Sequence, residues 1–335
     1  MRLGAFALGF LLCAHPTAAQ DAGAPGAFVR LSWSARALAL GDALVAVPWG
    51  TVSGPHNPAL LPWSPAQSVQ AFAALLALDR QLMGVSFQAP LRPSAGVTVG
   101  IVQAGVGRID GRDASGYHTG WLHAAEQRLH FGFGYRMGPR AAFGVGFSFN
   151  RSQLHPALSA PTTLGVDVGL LLELHPNWYL GVSVADLLAR YSWDTAALYG
   201  AEGAASTDRF PLRIRLGSAR SWGPWMATGE LEVRAYTAER RLNQVEIRGG
   251  APVILQRRQT ERLWTSRWSG GLEYAWRDAL LLRAGLQGDA TGWRPGAGFA
   301  VRRLVGELTL EAGYAMGWQE PVGLLGHRLE LNVRF

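Results

Sequence analysis

Nucleophilic catalysis needs a base and a nucleophile within reach of each other, and the chain offers one candidate pair. His130 and Ser148 fall on neighbouring alternating segments, where an imidazole could activate a hydroxyl. No third group that would orient the ring is identifiable, and there is no G-x-S-x-G elbow. The 8 His residues are scattered, without an HExxH pair or a comparable metal spacing. Asp110 and Asp113 suggest a calcium loop, but the following residues do not complete an EF-hand, so a solvated loop is expected. Gly105-x-Gly107 lacks the third glycine and the helix of a nucleotide site. The residues therefore predict no enzyme, no cofactor and no metal centre.

Charge recurs instead at alternate positions of strand-like segments. Arg213 and Arg215 form one such pair, and Glu230, Glu232 and Arg234 form a run. Glu273, Arg283, Glu307 and Glu311 continue the pattern, as do Arg128, His130, Arg136, Arg267, Arg328 and Glu330. Mixed signs away from bulk water predict a network of pairs bracing a filled interior. The alternative is a selective polar pore. All 31 basic residues are Arg, and the formal charge is +7. They are spread mostly singly, with no reading motif, so nucleic acid is not an expected partner.

The elements that must hold these residues have a period of two. Leu129, Phe131, Phe133 and Tyr135 share one face, opposed by His130, Gly132, Gly134 and Arg136. Phe143, Val145, Phe147 and Phe149 oppose Gly144, Gly146, Ser148 and Asn150. Leu308, Leu310, Ala312, Tyr314 and Met316 oppose Glu307, Thr309, Glu311, Gly313 and Ala315. Such alternation is a strand with one apolar face. No segment is long enough for a membrane helix, but barrel strands need only about 9–11 residues. The expected fold is all-β: a transmembrane antiparallel barrel of about fourteen strands with an N-terminal plug.

The connections carry a second signal. Tight turns are expected at Pro90–Pro93, Gly138-Pro139, His175–Asn177, Gly223-Pro224, Arg277-Asp278 and Arg302-Arg303. Longer, mostly polar connections alternate with them at 106–125, 152–161, 188–209, 238–261, 289–294 and 319–325. Short turns on one side and long loops on the other fit an outer-membrane barrel with both ends in the periplasm. The hairpin at Asp79-Arg80 is the exception, being short where a long loop is expected. Trp222, Trp225, Tyr274, Trp276 and Trp318 fall at strand ends, as interface girdles do.

Three domains are expected. Residues 1–19 read as a signal peptide, with Arg2, an apolar run from Leu3 to Leu12, and Thr17-Ala18-Ala19 before a mature start at Gln20. Cys13, the only cysteine, falls inside it. Residues 20–66 are too apolar for a free tail and read as a hatch inside the lumen. Residues 67–335 form the barrel. Leu329, Leu331, Val333 and Phe335 share a face at the chain's end, like the C-terminal signal read by the barrel assembly machinery. Outer-membrane lipid and that machinery are the expected partners, and the outer membrane the expected location.

Ser34–Ala46, with Arg36 and Gly41, followed by Asn57-Pro58-Ala59, resembles the N-terminal signature of the PorV/PorQ family of barrels, related to FadL. Asp110, Gly111, Asp113, Gly116 and Gly120 resemble that family's acidic outer loop. Gly165–Leu170, Leu180–Leu188 and Pro211–Gly217 add weaker matches; Ala185-Asp186 stands where the family usually has Asn. The resemblance implies a fourteen-stranded barrel with a hatch. It also implies a role as an accessory of type IX-like protein secretion, with secretion subunits or cargo as partners of the outer loops. The alternative it implies is a FadL-like passive transporter of hydrophobic or small solutes.

Overall fold

The computed structural model describes residues 25–51, 54–248, 251–319 and 324–335. The signal-peptide segment 1–19 lies outside the described residues, as does the start of the expected hatch. The alternating segments form strands in chain order: β1 (Ser68–Leu76), β2 (Arg80–Leu91), β3 (Ala95–Arg112), β4 (His118–Arg136), β5 (Ala141–Gln153), β6 (Thr162–His175), β7 (Trp178–Leu187) and β8 (Arg190–Asp194). They continue with β9 (Ala205–Arg209), β10 (Leu212–Trp222), β11 (Trp225–Arg248), β12 (Ala251–Trp276), β13 (Leu280–Asp289), β14 (Gly292–Val305), β15 (Leu308–Gln319) and β16 (Leu324–Arg334). Fourteen of them close an antiparallel barrel, in which β1 pairs with both β2 and β16; β8 and β9 form a separate two-stranded sheet.

The apolar face of each strand points outward. Phe131, Phe147 and Leu331 are 47%, 45% and 48% exposed along β4, β5 and β16. Their neighbours His130, Ser148 and Asn332 are buried in the lumen. This is the reverse of a soluble core and matches a wall solvated by hydrocarbon. Leu329 and Phe335 also face outward, with Val333 half-buried between them. β16 closes the sheet through Ala71↔Leu331, and the Phe335 N–H donates to Gln67 O at 3.0 Å.

At one end of the barrel, connections are tight. Asn177 has φ 62, and Arg277 and Asp278 have φ 51 and 55, the left-handed pair of a type I′ hairpin. At the other end Leu78 and Asp79 form a second such turn, so the exceptional short hairpin is real. Three expected loops are largely strand instead: 289–294 is a two-residue turn between the paired Asp289 and Gly292, and 106–125 and 238–261 extend the ladder. β3 and β4 stay paired out to Arg112↔His118, and β11 and β12 out to Arg248↔Ala251. Beyond the bilayer a ribbon needs no apolar face, so alternation does not mark it. The turn expected at Arg302-Arg303 sits at Gly306-Glu307, with Arg302 paired to Glu311 inside the ladder.

Phe131→Arg would place a guanidinium in the hydrocarbon belt and is expected to lower stability by about 2–4 kcal/mol. The same change at Tyr117, exposed on the β3–β4 hairpin, should alter little. Denaturant unfolding from lipid vesicles measures both.

Candidate functional site

The barrel's interior is filled by the chain's own N-terminal segment. A 3-10 turn (Ala27–Arg30) leads into helix α1 (Ala35–Ala39), whose first turn is capped by Ser34: its Oγ accepts from the Ala37 N–H at 2.9 Å. Gly41 and Asp42, at φ 64 and 66, reverse the chain. A second 3-10 turn (Pro58–Trp63) is capped by Asn57, whose Oδ1 accepts from the Ala59 N–H at 3.0 Å. Asn57 Nδ2 donates to Val45 O at 2.8 Å and to Leu170 O of β6 at 3.1 Å. The Asn57-Pro58-Ala59 unit thus ties two stretches of plug to the wall. The wall approaches the plug backbone closely enough that a Cβ on Gly144 would overlap the Pro58 carbonyl, and one on Gly181 the Val45 carbonyl.

Charge fixes the plug's orientation. Arg36, fully enclosed, makes a two-pronged contact with Glu273 of β12 at 3.1 and 3.2 Å and donates to Trp49 O and Thr51 O at 2.6 and 2.9 Å. Its backbone N–H donates to Glu330 at 3.1 Å. Glu273 also receives Arg283 at 2.7 Å; Arg283 reaches Glu311 at 3.0 Å, and Arg302 meets Glu311 at 3.0 Å. On the next sector Glu232 receives Arg215 at 2.7 Å, Arg234 at 2.5 Å and Arg267 at 3.4 Å. Glu230 accepts from the Val45 N–H at 3.0 Å. The structure therefore brings together Arg213, Arg215, Glu230, Glu232, Arg234, Glu273, Arg283 and Glu311 as lumenal residues. It does not include Glu307, which lies exposed in the β14–β15 turn; the β14 strand runs longer than its pattern suggested, and the turn absorbs that carboxylate.

Acids that the alternation did not single out complete the set. Asp42 of the plug meets His56 at 3.0 Å and Arg267 at 3.4 Å. Asp186 receives Arg213 at 2.7 Å and Arg128 at 2.9 Å, and Arg128 meets Asp167 at 3.3 Å. These two sit at a break in the β6–β7 ladder between Val166 and Val168. There the Asp186 N–H donates to the Asp167 carboxylate at 2.7 Å instead of to a neighbouring strand. The departure from the usual Asn at Asp186 was the available signal, since an acid there needs lumenal Arg partners.

At the long-loop end β8–β9 folds over the plug. Ala189, Tyr191 and Phe210 pack on Phe28 and Val29, with Trp33 and Trp193 at the edge. Below this apolar lid lie water-sized cavities lined by Trp33, His56, Arg128 and His130. His130 and Ser148 face one another in register but lean apart: the imidazole lies over Gly100, and the Ser148 hydroxyl over Gly165. They are not arranged as base and nucleophile.

The outer-loop residues do not converge on an ion. Asp110 pairs with Arg112 and, at 2.5 Å, with His118. Asp113 Oδ1 accepts from the Ser115 and Tyr117 N–H groups at 2.9 and 3.0 Å. Gly111 pairs with Gly120, and Gly116 takes φ 85 in the turn. Among the described residues no cluster of three or more His, Cys, Asp or Glu could hold a metal.

The arrangement defines a class: a closed fourteen-stranded β-barrel whose lumen holds an internal, ion-paired plug. No protein-family model and no curated protein sequence matches the chain. Solved structures do. The toluene transporter TodX of Pseudomonas putida is similar with a TM-score of 0.61 at 13% identity, over 90% of this chain and 96% of that one. A Pseudomonas aeruginosa FadL homologue gives 0.59 at 11% identity, over 91% and 98% of the two chains. The monoaromatic hydrocarbon channel CymD gives 0.58 at 12% identity, over 90% and 96%. At these identities the likeness is one of fold.

Glu232→Ala leaves three guanidinium groups without their shared carboxylate and is expected to destabilise the barrel by about 3–5 kcal/mol, read by denaturant unfolding. Asp42 gives a pH signature. Burial alone would raise its carboxyl, but the His56 ring and the Arg267 guanidinium outweigh burial and hold it below the usual carboxylate range. A carboxyl depressed in the folded state stabilises above its unfolded value, near about 4. That contribution is lost as the pH falls through the folded value. Acid below about pH 4 should therefore loosen the plug, and Asp42→Asn should flatten that dependence. Protease nicking of residues 43–51 across a pH series checks it.

Proposed function

We propose that this protein is an outer-membrane channel for small hydrophobic molecules, with the long loops outside and residues 25–66 as its internal gate. The observation that carries the reading is the apolar lid of Phe28, Val29, Tyr191 and Phe210 set over a self-plugged lumen. These side chains are buried beneath the outer surface, so a hydrophobic molecule that passes the loops meets an apolar layer before the ion pairs of the lumen. The barrel's likeness to TodX, CymD and a FadL homologue supports the same class. The secretion-accessory role implied by the PorV/PorQ resemblance finds no support in these likenesses, and the solute-channel alternative fits better. An export signal in residues 1–19, the C-terminal assembly residues Leu329, Leu331, Val333 and Phe335, and contact with lipid and assembly machinery belong to the same proposal. The outward apolar belt supports it.

The test is uptake. A Gram-negative host lacking its own hydrophobic-solute channels should take up labelled toluene faster when it carries this protein. A disulfide between Ala43→Cys and Thr228→Cys, whose native groups are hydrogen-bonded at 2.7 Å, should return uptake to background until reduced. Uptake unchanged by the protein would sink the reading.

A further inference from the structure

On the outside of the wall, one sector changes character from one outward row to the next. Ile101, Leu129, Phe149 and Leu164 lie side by side across β3–β6, all outward and exposed. The next outward row toward the long loops is Gln103, Gln127, Arg151 and Thr162, again partners in register. Hydrocarbon can solvate the first row and not the second. The step therefore marks the depth at which acyl chains give way to headgroups.

Two more arginines join the polar row. The Arg190 N–H donates to Thr163 Oγ1 at 2.9 Å, and Arg190 stands directly opposite Arg209 in β8–β9. Arg151, Arg190 and Arg209 are all exposed. Like charges directly opposite one another repel. The acids of the hairpin do not relieve them: Asp194 accepts from the Ala196 N–H at 2.9 Å, and Asp208 stands opposite Tyr191. Among the described residues none of these three arginines makes an ion pair, whereas the lumenal Arg213 and Arg215 each meet a carboxylate.

A guanidinium presents a planar fork that matches phosphate, and several can share one such group. The Gln103 and Gln127 amides, 3.5 Å apart, both donate and accept, as sugar hydroxyls require. The apolar row directly beneath is complementary to acyl chains. The combination fits an amphiphile that holds phosphate and sugar at the top of its hydrocarbon, and a free anion would make no use of the lower row.

Resting on the outer-membrane orientation given above, we propose that Arg151, Arg190 and Arg209, with Gln103 and Gln127, bind the phosphorylated sugar head of an outer-leaflet glycolipid. Its acyl chains lie along Leu129, Phe149 and Leu164.

The experiment measures binding of diphosphorylated lipid A and of phosphatidylglycerol to the purified full chain in detergent, by native mass spectrometry. Lipid A is expected to bind about tenfold more tightly than phosphatidylglycerol, and Arg151→Gln to weaken it about tenfold, the worth of one charge-assisted hydrogen bond. The double change Arg190→Gln with Arg209→Gln should do the same, and serves if the Arg151 variant does not fold by heat-shifted gel mobility. Arg303→Gln, exposed near the short-turn end, should change nothing. Three results overturn the inference: lipid A binding that survives the Arg151, Arg190 and Arg209 changes, phosphatidylglycerol binding as tightly as lipid A, or displacement of lipid A by millimolar inorganic phosphate. Toluene uptake tests the transport reading separately, because these residues lie outside the lumen and their substitution should leave uptake unchanged.

Discussion

Hydrocarbon offers no hydrogen bonds, and the rest of the structure follows from that. Every backbone N–H and C=O within the lipid belt must be paired by the chain itself, so the sheet has to close. Closure rests on one pairing between distant parts of the sequence, β1 with β16, in register from Ser68↔Arg334 to Leu75↔His327. A closed ring of fourteen strands is wide enough that the wall's own side chains do not fill it. The apolar half of each strand is committed to lipid, so the lumen receives the other half: glycine, hydroxyl groups and charge. The N-terminal segment fills the space that closure creates. It can lie close to the wall because small residues such as Gly144 and Gly181 leave room for its backbone.

Placing peptide inside such a lumen raises a second problem, since the segment exposes its own backbone to a wall that is paired with itself. The solution is side-chain charge. Glu230 accepts from the Val45 N–H, Glu330 from the Arg36 N–H, and Arg36 donates to two plug carbonyls while gripping Glu273. The wall charges thus act as hydrogen-bonding arms for plug backbone; Glu273 and Glu230 are backed by Arg283 and Arg215 of the wall, and Glu330 by the Gln70 amide. Glu232, shared by three guanidinium groups, shows how dense this is. Buried ion pairs are weak sources of net stability. Their effect here is orientation: the plug sits where Arg36 meets Glu273, Asp42 meets Arg267 and the Val45 N–H meets Glu230.

Much of the wall was legible in the sequence because lipid imposes the sharpest pattern a strand can carry. Leu129 to Tyr135 and Phe143 to Phe149 read directly as outward faces, and the tight turns at Asn177 and Arg277-Asp278 as reversals. The pattern fails where lipid stops acting. The outer parts of β3–β4 and β11–β12 are strand without an apolar face, so they read as loops. Glu307 continued an alternation that had already entered a turn, and Arg302 broke one that had not yet ended. Within the site, the lumenal Arg and Glu were visible by parity, but their partners were not. Asp42, Asp167 and Asp186 come from a plug reversal and a ladder break, and only three-dimensional proximity pairs them with Arg267, Arg128 and Arg213. His130 and Ser148 show the converse: register brings them level, and the directions in which their side chains lean keep them apart.

The lumen's bonding is therefore lopsided, and that bears on how a plugged barrel could admit a molecule. Along β10–β12 and β16, moving the plug would break charge-assisted hydrogen bonds to Val45, Arg36 and Asp42, each leaving a buried charge behind. Along β3–β5 the contacts differ in kind. The Pro58–Trp63 turn rests on glycine backbone and on the Arg136 guanidinium over Trp63, and above it Trp33 meets His130 and Arg128 through its ring. Separating apolar surfaces costs in proportion to area, and a hydrophobic guest restores most of that contact as it enters. The break in the β6–β7 ladder borders this same sector through Arg128, which bridges Asp167 and Asp186. The plug is thus held by charge along β10–β12 and β16, and by packing along β3–β5.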